Sequence, residues 1–184
     1  MKVTKNLAVE TLTKQPPCSR RDMGRLGYLA LLGCAFAPAA ILTGCATQPA
    51  TALRPAASAQ TGSDIALFAL SLLDRPYVSG GRGPATGFDC SGLVSHVYLQ
   101  AAGIKLQGNA ASMAKAARPV DTASLTAGDL LFFNTLGYAF SHVGIFVGDG
   151  RFVHASNPRT GVRTDALSSK YYSTRFEGAR TVLG

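Results

Sequence analysis

His142-Val143-Gly144-Ile145-Phe146-Val147-Gly148-Asp149-Gly150-Arg151-Phe152-Val153-His154 consists of two apolar, β-branched and aromatic runs around a glycine-containing turn, the pattern of a β-hairpin. The length of the turn decides whether the two histidines can meet. A two-residue Asp149-Gly150 turn pairs Gly148 with Arg151 and sends the rings to opposite faces. A three-residue loop, with Gly150 left-handed as a bulge, pairs Val147 with Arg151 and Phe146 with Phe152. His142 and His154 are then diagonal neighbours on one face, about 7–8 Å apart at the backbone and within ring contact. The longer loop is expected, because a site that uses both histidines requires it.

Working outward, Asp129-Leu130-Leu131-Phe132-Phe133 is a further strand-like run. The segment before it is helical in pattern. Ser63 N-caps an apolar stretch to Leu73 that ends at Arg75-Pro76, and residues 91–102 carry Leu93, Val94, Val97 and Tyr98 at helical spacing before the terminator Gly103. Helices first and an antiparallel sheet second give an α+β class. Between the helices, Gly80-Gly81-Arg82-Gly83-Pro84 lacks the Lys-Ser/Thr of a phosphate loop and reads as backbone shaping.

Cys90 stands at the start of the second helix, in Gly87-Phe88-Asp89-Cys90-Ser91-Gly92. Helix N-termini favour a thiolate and can bind a developing oxyanion. With His142 as base and His154 as its orienter, Cys90 is a candidate nucleophile. His96, six positions further along the helix, falls well round from Cys90 and reads as a packed or solvated residue. There is no HExxH helix, no CxxC and no third ligand for the two histidines, so neither a metal nor another cofactor is expected.

The first third has a different character. Residues 26–43 are almost wholly apolar, follow Arg20, Arg21 and Arg25, and end in Leu42-Thr43-Gly44-Cys45. Residues 1–44 read as a lipoprotein signal peptide, with Cys45 the acylated first residue of the mature chain. Cys34 is a weaker second lipidation candidate. Ser19-Arg20-Arg21 resembles a twin-arginine export signal; an ordinary basic flank, or a start at Met23, are the alternatives. About 18 apolar residues would also serve as a membrane span, but the cysteine at the cleavage position favours lipid anchoring.

Residues 46–61, rich in Ala, Pro, Ser and Thr, read as a flexible tether, and the folded domain is expected at 63–184. With Cys18 and Cys34 removed and Cys45 acylated, Cys90 has no disulfide partner. The formal charge of +8 falls to +4 after position 44, and the remaining arginines are scattered rather than clustered. Nucleic acid is therefore not an expected partner.

Taken together, these stretches resemble the NlpC-type cell-wall cysteine peptidases, compact relatives of papain. The resemblance rests on 75–81 (Arg-Pro-Tyr-Val-Ser-Gly-Gly), 87–94 (Gly-Phe-Asp-Cys-Ser-Gly-Leu-Val), 125–133 (Leu-Thr-Ala-Gly-Asp-Leu-Leu-Phe-Phe), and 141–148 continuing into Phe152-Val153-His154-Ala155-Ser156. It implies a papain-like fold with Cys90 as nucleophile, His142 as general base and His154 as the residue that fixes the imidazole. It further implies Tyr77 beside the oxyanion or substrate, and Asp89 and Ser91 lining the acyl-side pocket. The implied substrate is a peptidoglycan stem peptide, cut at γ-D-glutamyl-diaminopimelate or D-alanyl-diaminopimelate. Asn109-Ala110-Ala111-Ser112-Met113 departs from the family's polar Arg/Thr-x-x-Gln pattern and leaves leaving-side specificity open.

The expectation is thus a monomeric endopeptidase held to a membrane by the lipid on Cys45. Because Ala46 is not the aspartate of inner-membrane retention, the outer membrane, facing the periplasm, is the expected address. A non-catalytic envelope scaffold and a papain-like acyltransferase or amidase are the competing readings.

Overall fold

A computed structural model describes residues 55–184; the leader, Cys45 and the first part of the tether lie outside the described residues. Helix α1 spans Ala56–Leu70, with Pro55 at its N-cap and Gly62, Ile65, Ala66 and Ala69 buried. It therefore begins well before Ser63, which lies inside it. The Ala-Ser composition that reads as a tether is equally a helix former once its proline is confined to the first turn.

Two short strands, β1 (Arg82–Gly83) and β2 (Gly87–Phe88), pair ahead of α2, Cys90–Ala102. Asp89 N-caps α2, and Gly103, at φ 67°, closes it in the left-handed conformation. A seven-residue helix α3 (Ala110–Ala116) follows, capped by Asn109. The remaining elements are β3 (Arg118–Val120), β4 (Leu130–Phe133), β5 (His142–Gly148), β6 (Arg151–Asn157), β7 (Gly161–Ala166), the short helix α4 (Lys170–Ser173) and β8 (Phe176–Thr181). Strands β3 to β8 form one antiparallel sheet in the order β3-β8-β4-β5-β6-β7.

Alternation along the strands splits the core. Leu130, Phe132, Val143, Ile145, Val153, Ala155 and Val162 pack with α1 and α2. Leu131, Phe133, Phe146 and Phe152 face the other way, covered by Tyr172 of α4. His142 and His154 stand on this second face, beside Phe133 and Phe152 respectively.

The hairpin corrects the expected turn while keeping the pairing beyond it. Gly148 pairs with Arg151, so the loop is the two-residue one, with Asp149 (φ 50°) and Gly150 (φ 67°) both left-handed as a type I′ turn requires. The register then shifts between Phe146 and Gly148, so that Val147 is the extra residue and Phe146 still pairs with Phe152. Asp-Gly chemistry sets the turn, burial of Val143 and Ile145 sets the register, and the bulge reconciles the two.

Candidate active site

The cysteine side is built from backbone. Asp89 Oδ1 accepts from the Gly92 amide (2.6 Å) and the Ser91 hydroxyl (3.0 Å), while Oδ2 accepts from the Gly80 amide (3.0 Å). The glycine loop closes on the helix start so tightly that a Cβ on Gly92 would lie 1.9 Å from the Gly81 carbonyl oxygen. Pro76 and Val78 exchange backbone hydrogen bonds with Phe88. This latch places Tyr77 where burial first, then Cys90 and Asp89, push its phenol pKa up.

Ser91 is buried and its hydroxyl donates to Asp89, so its side chain braces the turn. Cys90 is pulled in two directions. The amides of Val143, Ser91 and Cys90 itself lower its pKa, but burial outweighs them, Asp89 adds to the upward push, and the net shift is upward. The helix start favours a thiolate, and the surroundings withhold it at rest.

The Val143 amide that lowers the thiol pKa belongs to the start of β5, next to His142. His142 Nε2 lies 2.7 Å from His154 Nδ1, with the rings nearly perpendicular. Burial first, and His154 second, push the His142 pKa down to about 3. His154 is lowered as well, by burial, although Asp165 pulls the other way. Both shifts favour the uncharged forms of thiol and imidazole.

Two groups at this site were not anticipated from sequence. Asp165 of β7 places Oδ2 2.9 Å from His154 Nε2 and Oδ1 2.7 Å from Arg163 Nη2. Tyr172 of α4 brings its hydroxyl to 3.3 Å from the same His154 nitrogen. Register arithmetic carried one strand further would have placed Asp165 opposite Phe152, but Pro158 and a second bulge between Ala155 and Asn157 conceal that strand in the sequence. His96 joins neither group; its ring packs between Phe68 and Phe88.

A cleft of about 390 Å³ opens beside His142, lined by Thr135, Leu136, Ser156, Asn157, Tyr171 and Tyr172. Ser141 fixes its rim by accepting from the amides of Thr135 and Leu136. Among the described residues no cluster of His, Cys, Asp and Glu could hold a metal ion. A thiol, an imidazole reached through a shared strand, convergent amides and an open cleft are the parts of nucleophilic acyl transfer.

Comparison with known proteins gives these parts a lineage. The chain is 40% identical over 116 residues to murein DD-endopeptidase MepH of Escherichia coli K12, covering 60% of this chain and 42% of that protein. It is 41% identical over 106 residues to gamma-DL-glutamyl hydrolase of Bacillus subtilis 168, covering 57% and 25% respectively. It thus spans less than half the length of either relative. Among solved structures, a lipoprotein-like NLP/P60 protein of Staphylococcus aureus Mu50 superposes with a TM-score of 0.60 at 38% identity, over 68% of this chain and 42% of that one. Residues 74–181, more than half of the chain, match the family profile itself, and the chain belongs to the NlpC/P60 family.

Proposed function

We propose that the protein is a cysteine endopeptidase of peptidoglycan stem peptides, held to the envelope by a lipid on Cys45. The observation that carries this reading is the 2.7 Å His142–His154 contact, with Val143, whose amide lowers the Cys90 pKa, next along the same strand. The named activities of the relatives support it, and they divide between a DD-bond and a DL-bond. D-alanyl-diaminopimelate and γ-D-glutamyl-diaminopimelate are accordingly the two bonds to test.

In the reaction, Cys90 passes its proton to His142 as sulfur attacks the amide carbonyl. The amides at the start of α2 and the Tyr77 hydroxyl receive the oxyanion. His142 then protonates the leaving amine, a thioester forms, and water attacks it with His142 again as base. Asp89 holds the acyl side. The proposed address is the periplasmic face of the outer membrane.

Incubating the full chain and its Cys90→Ala variant with diaminopimelate-type peptidoglycan, followed by mass spectrometry, tests the reading. Fragments newly ending in γ-D-glutamate or D-alanine, absent with Cys90→Ala, are the expected outcome and name the bond. No fragments from either protein would overturn the peptidase reading in favour of a scaffold or an acyltransferase.

A further inference from the structure

His142 and His154 are joined through Nε2 and Nδ1, and that contact alone leaves open which nitrogen carries the hydrogen. The answer decides whether His142 offers a lone pair or an N–H to the thiol. The other end of His154 settles it. Asp165 Oδ2 lies 2.9 Å from His154 Nε2, and the second oxygen is taken by Arg163 Nη2 at 2.7 Å. A carboxylate held by an arginine can only accept, so His154 Nε2 carries its hydrogen and Nδ1 is bare. His142 must then donate from Nε2, which leaves its Nδ1 as the basic nitrogen.

We propose that Asp165 is a positioning residue that fixes His154 as the Nε2–H tautomer, and thereby orients the basic nitrogen of His142 for the Cys90 proton. This rests on the peptidase reading for its purpose, but the tautomer itself does not. When His142 becomes an imidazolium during attack, both of its N–H groups are occupied. The Asp165 carboxylate then lies one neutral ring away as counter-charge.

The arrangement is built for this. His154 is fully buried, so water cannot substitute for the carboxylate. His154 and Asp165 stand on the same face of adjacent strands, His154 opposite Arg163 and Asp165 opposite Phe152. The titratable or charged groups facing His154 are His142 on β5, Arg163 and Asp165 on β7, and Tyr172 on α4, the last with Tyr171 beside it. Tyr172 stacks edge-on to the His154 ring at 5.2 Å and holds it in place without supplying charge.

The informative substitution is Asp165→Asn. It keeps the shape, but one of its two positions must become an NH2. That group faces either Arg163, against its charge, or His154 Nε2, reversing the tautomer. The expected result in the full chain is a fall in kcat of about 10–100-fold, the usual effect of losing such an outer partner, with KM changed less than about 2-fold. Alkylation of Cys90 by iodoacetamide should slow at neutral pH and move its midpoint upward, with the melting temperature of the variant showing that it folds.

Histidine 15N spectra of the unmutated full chain provide a readout that needs neither the variant nor a wall substrate. His154 should show a protonated Nε2 and a bare Nδ1. A protonated Nδ1 on His154, or a folded Asp165→Asn variant with an unchanged alkylation profile, would overturn the proposal whatever the substrate proves to be.

Discussion

The two halves of the site are built by different means. Cys90 is placed by what lies within ten or so residues of it: the Asp89 cap, the Gly81–Gly92 contact and the start of α2. His142 is placed by strand register, through a bulge at Val147, a diagonal contact to His154 and a third strand carrying Asp165. A locally built half tolerates distant change and fails when its own turn is altered. A half built by register is exposed to any residue that shifts a strand by one position, because such a slip exchanges the two faces.

The largest loss is therefore expected from a change at Gly148, which pairs with Arg151 at the hairpin turn. Its φ of 103° is closed to a β-branched residue, and nothing within 4 Å of its Cβ position would obstruct a side chain. Gly148→Val thus acts on the backbone alone. It penalises the bulge and favours flush pairing, which carries His142 off the face of His154. Hydrolysis should fall about 10²–10⁴-fold, the range for losing a general base. Deleting Val147 instead removes the extra residue and keeps Phe146 opposite Phe152, so it should retain far more activity. If both variants behave alike, register is not what places His142.

That contrast also explains what was legible in the sequence. The cysteine turn, the end of α2 and the three strands around His142 and His154 were readable because short-range signals mark them: a capping aspartate, a terminating glycine, apolar runs between turns. The start of α1 was missed because its Ala-Ser composition suits a linker and a helix alike. Strand β8 sits between β3 and β4 in the sheet, yet its sequence, Phe-Glu-Gly-Ala-Arg-Thr, has little β character, so tertiary pairing overrides propensity. Asp165 was hidden by the bulge between Ala155 and Asn157, which breaks the arithmetic that reached His154. The hairpin register was correct for a partly wrong reason, since the irregularity lies in the strand and not in the turn.

The two halves should also separate by pH. His142 and His154 are both held neutral by burial, with His142 down at about 3. An unfolded histidine takes up a proton near pH 6.5. Between those values the unfolded chain binds more protons than the folded one, so stability falls as pH falls from about 6.5 towards 3 and is unaffected above that window. His142 alone should cost about 2 kcal/mol between pH 7 and pH 5. Denaturant midpoints at the two pH values measure it, and His142→Asn should reduce the slope, leaving the part that His154 contributes. The thiol, shifted upward, stays neutral through this range and contributes nothing there. A slope that survives His142→Asn unchanged would place the acid sensitivity elsewhere.

The smallest expected effect lies on the cysteine side and has two components of opposite sense. Asp89→Ala removes the α2 cap and should cost about 1 kcal/mol. It also removes a negative charge that raises the Cys90 pKa, so the surviving folded protein should be alkylated at Cys90 more readily at neutral pH. Asp89→Asn separates the two, because asparagine caps about as well as aspartate and carries no charge. It should keep the Gly92 cap, lose only the Gly80 bond where its NH2 replaces Oδ2, melt above Asp89→Ala, and still show the faster alkylation. Were Asp89→Asn to lose both stability and thiol reactivity, the carboxylate's bonds to Gly80 and Ser91 would be the controlling contacts. The cysteine turn would then depend on a side-chain network, as the histidine side does, and the distinction between the two halves would not hold.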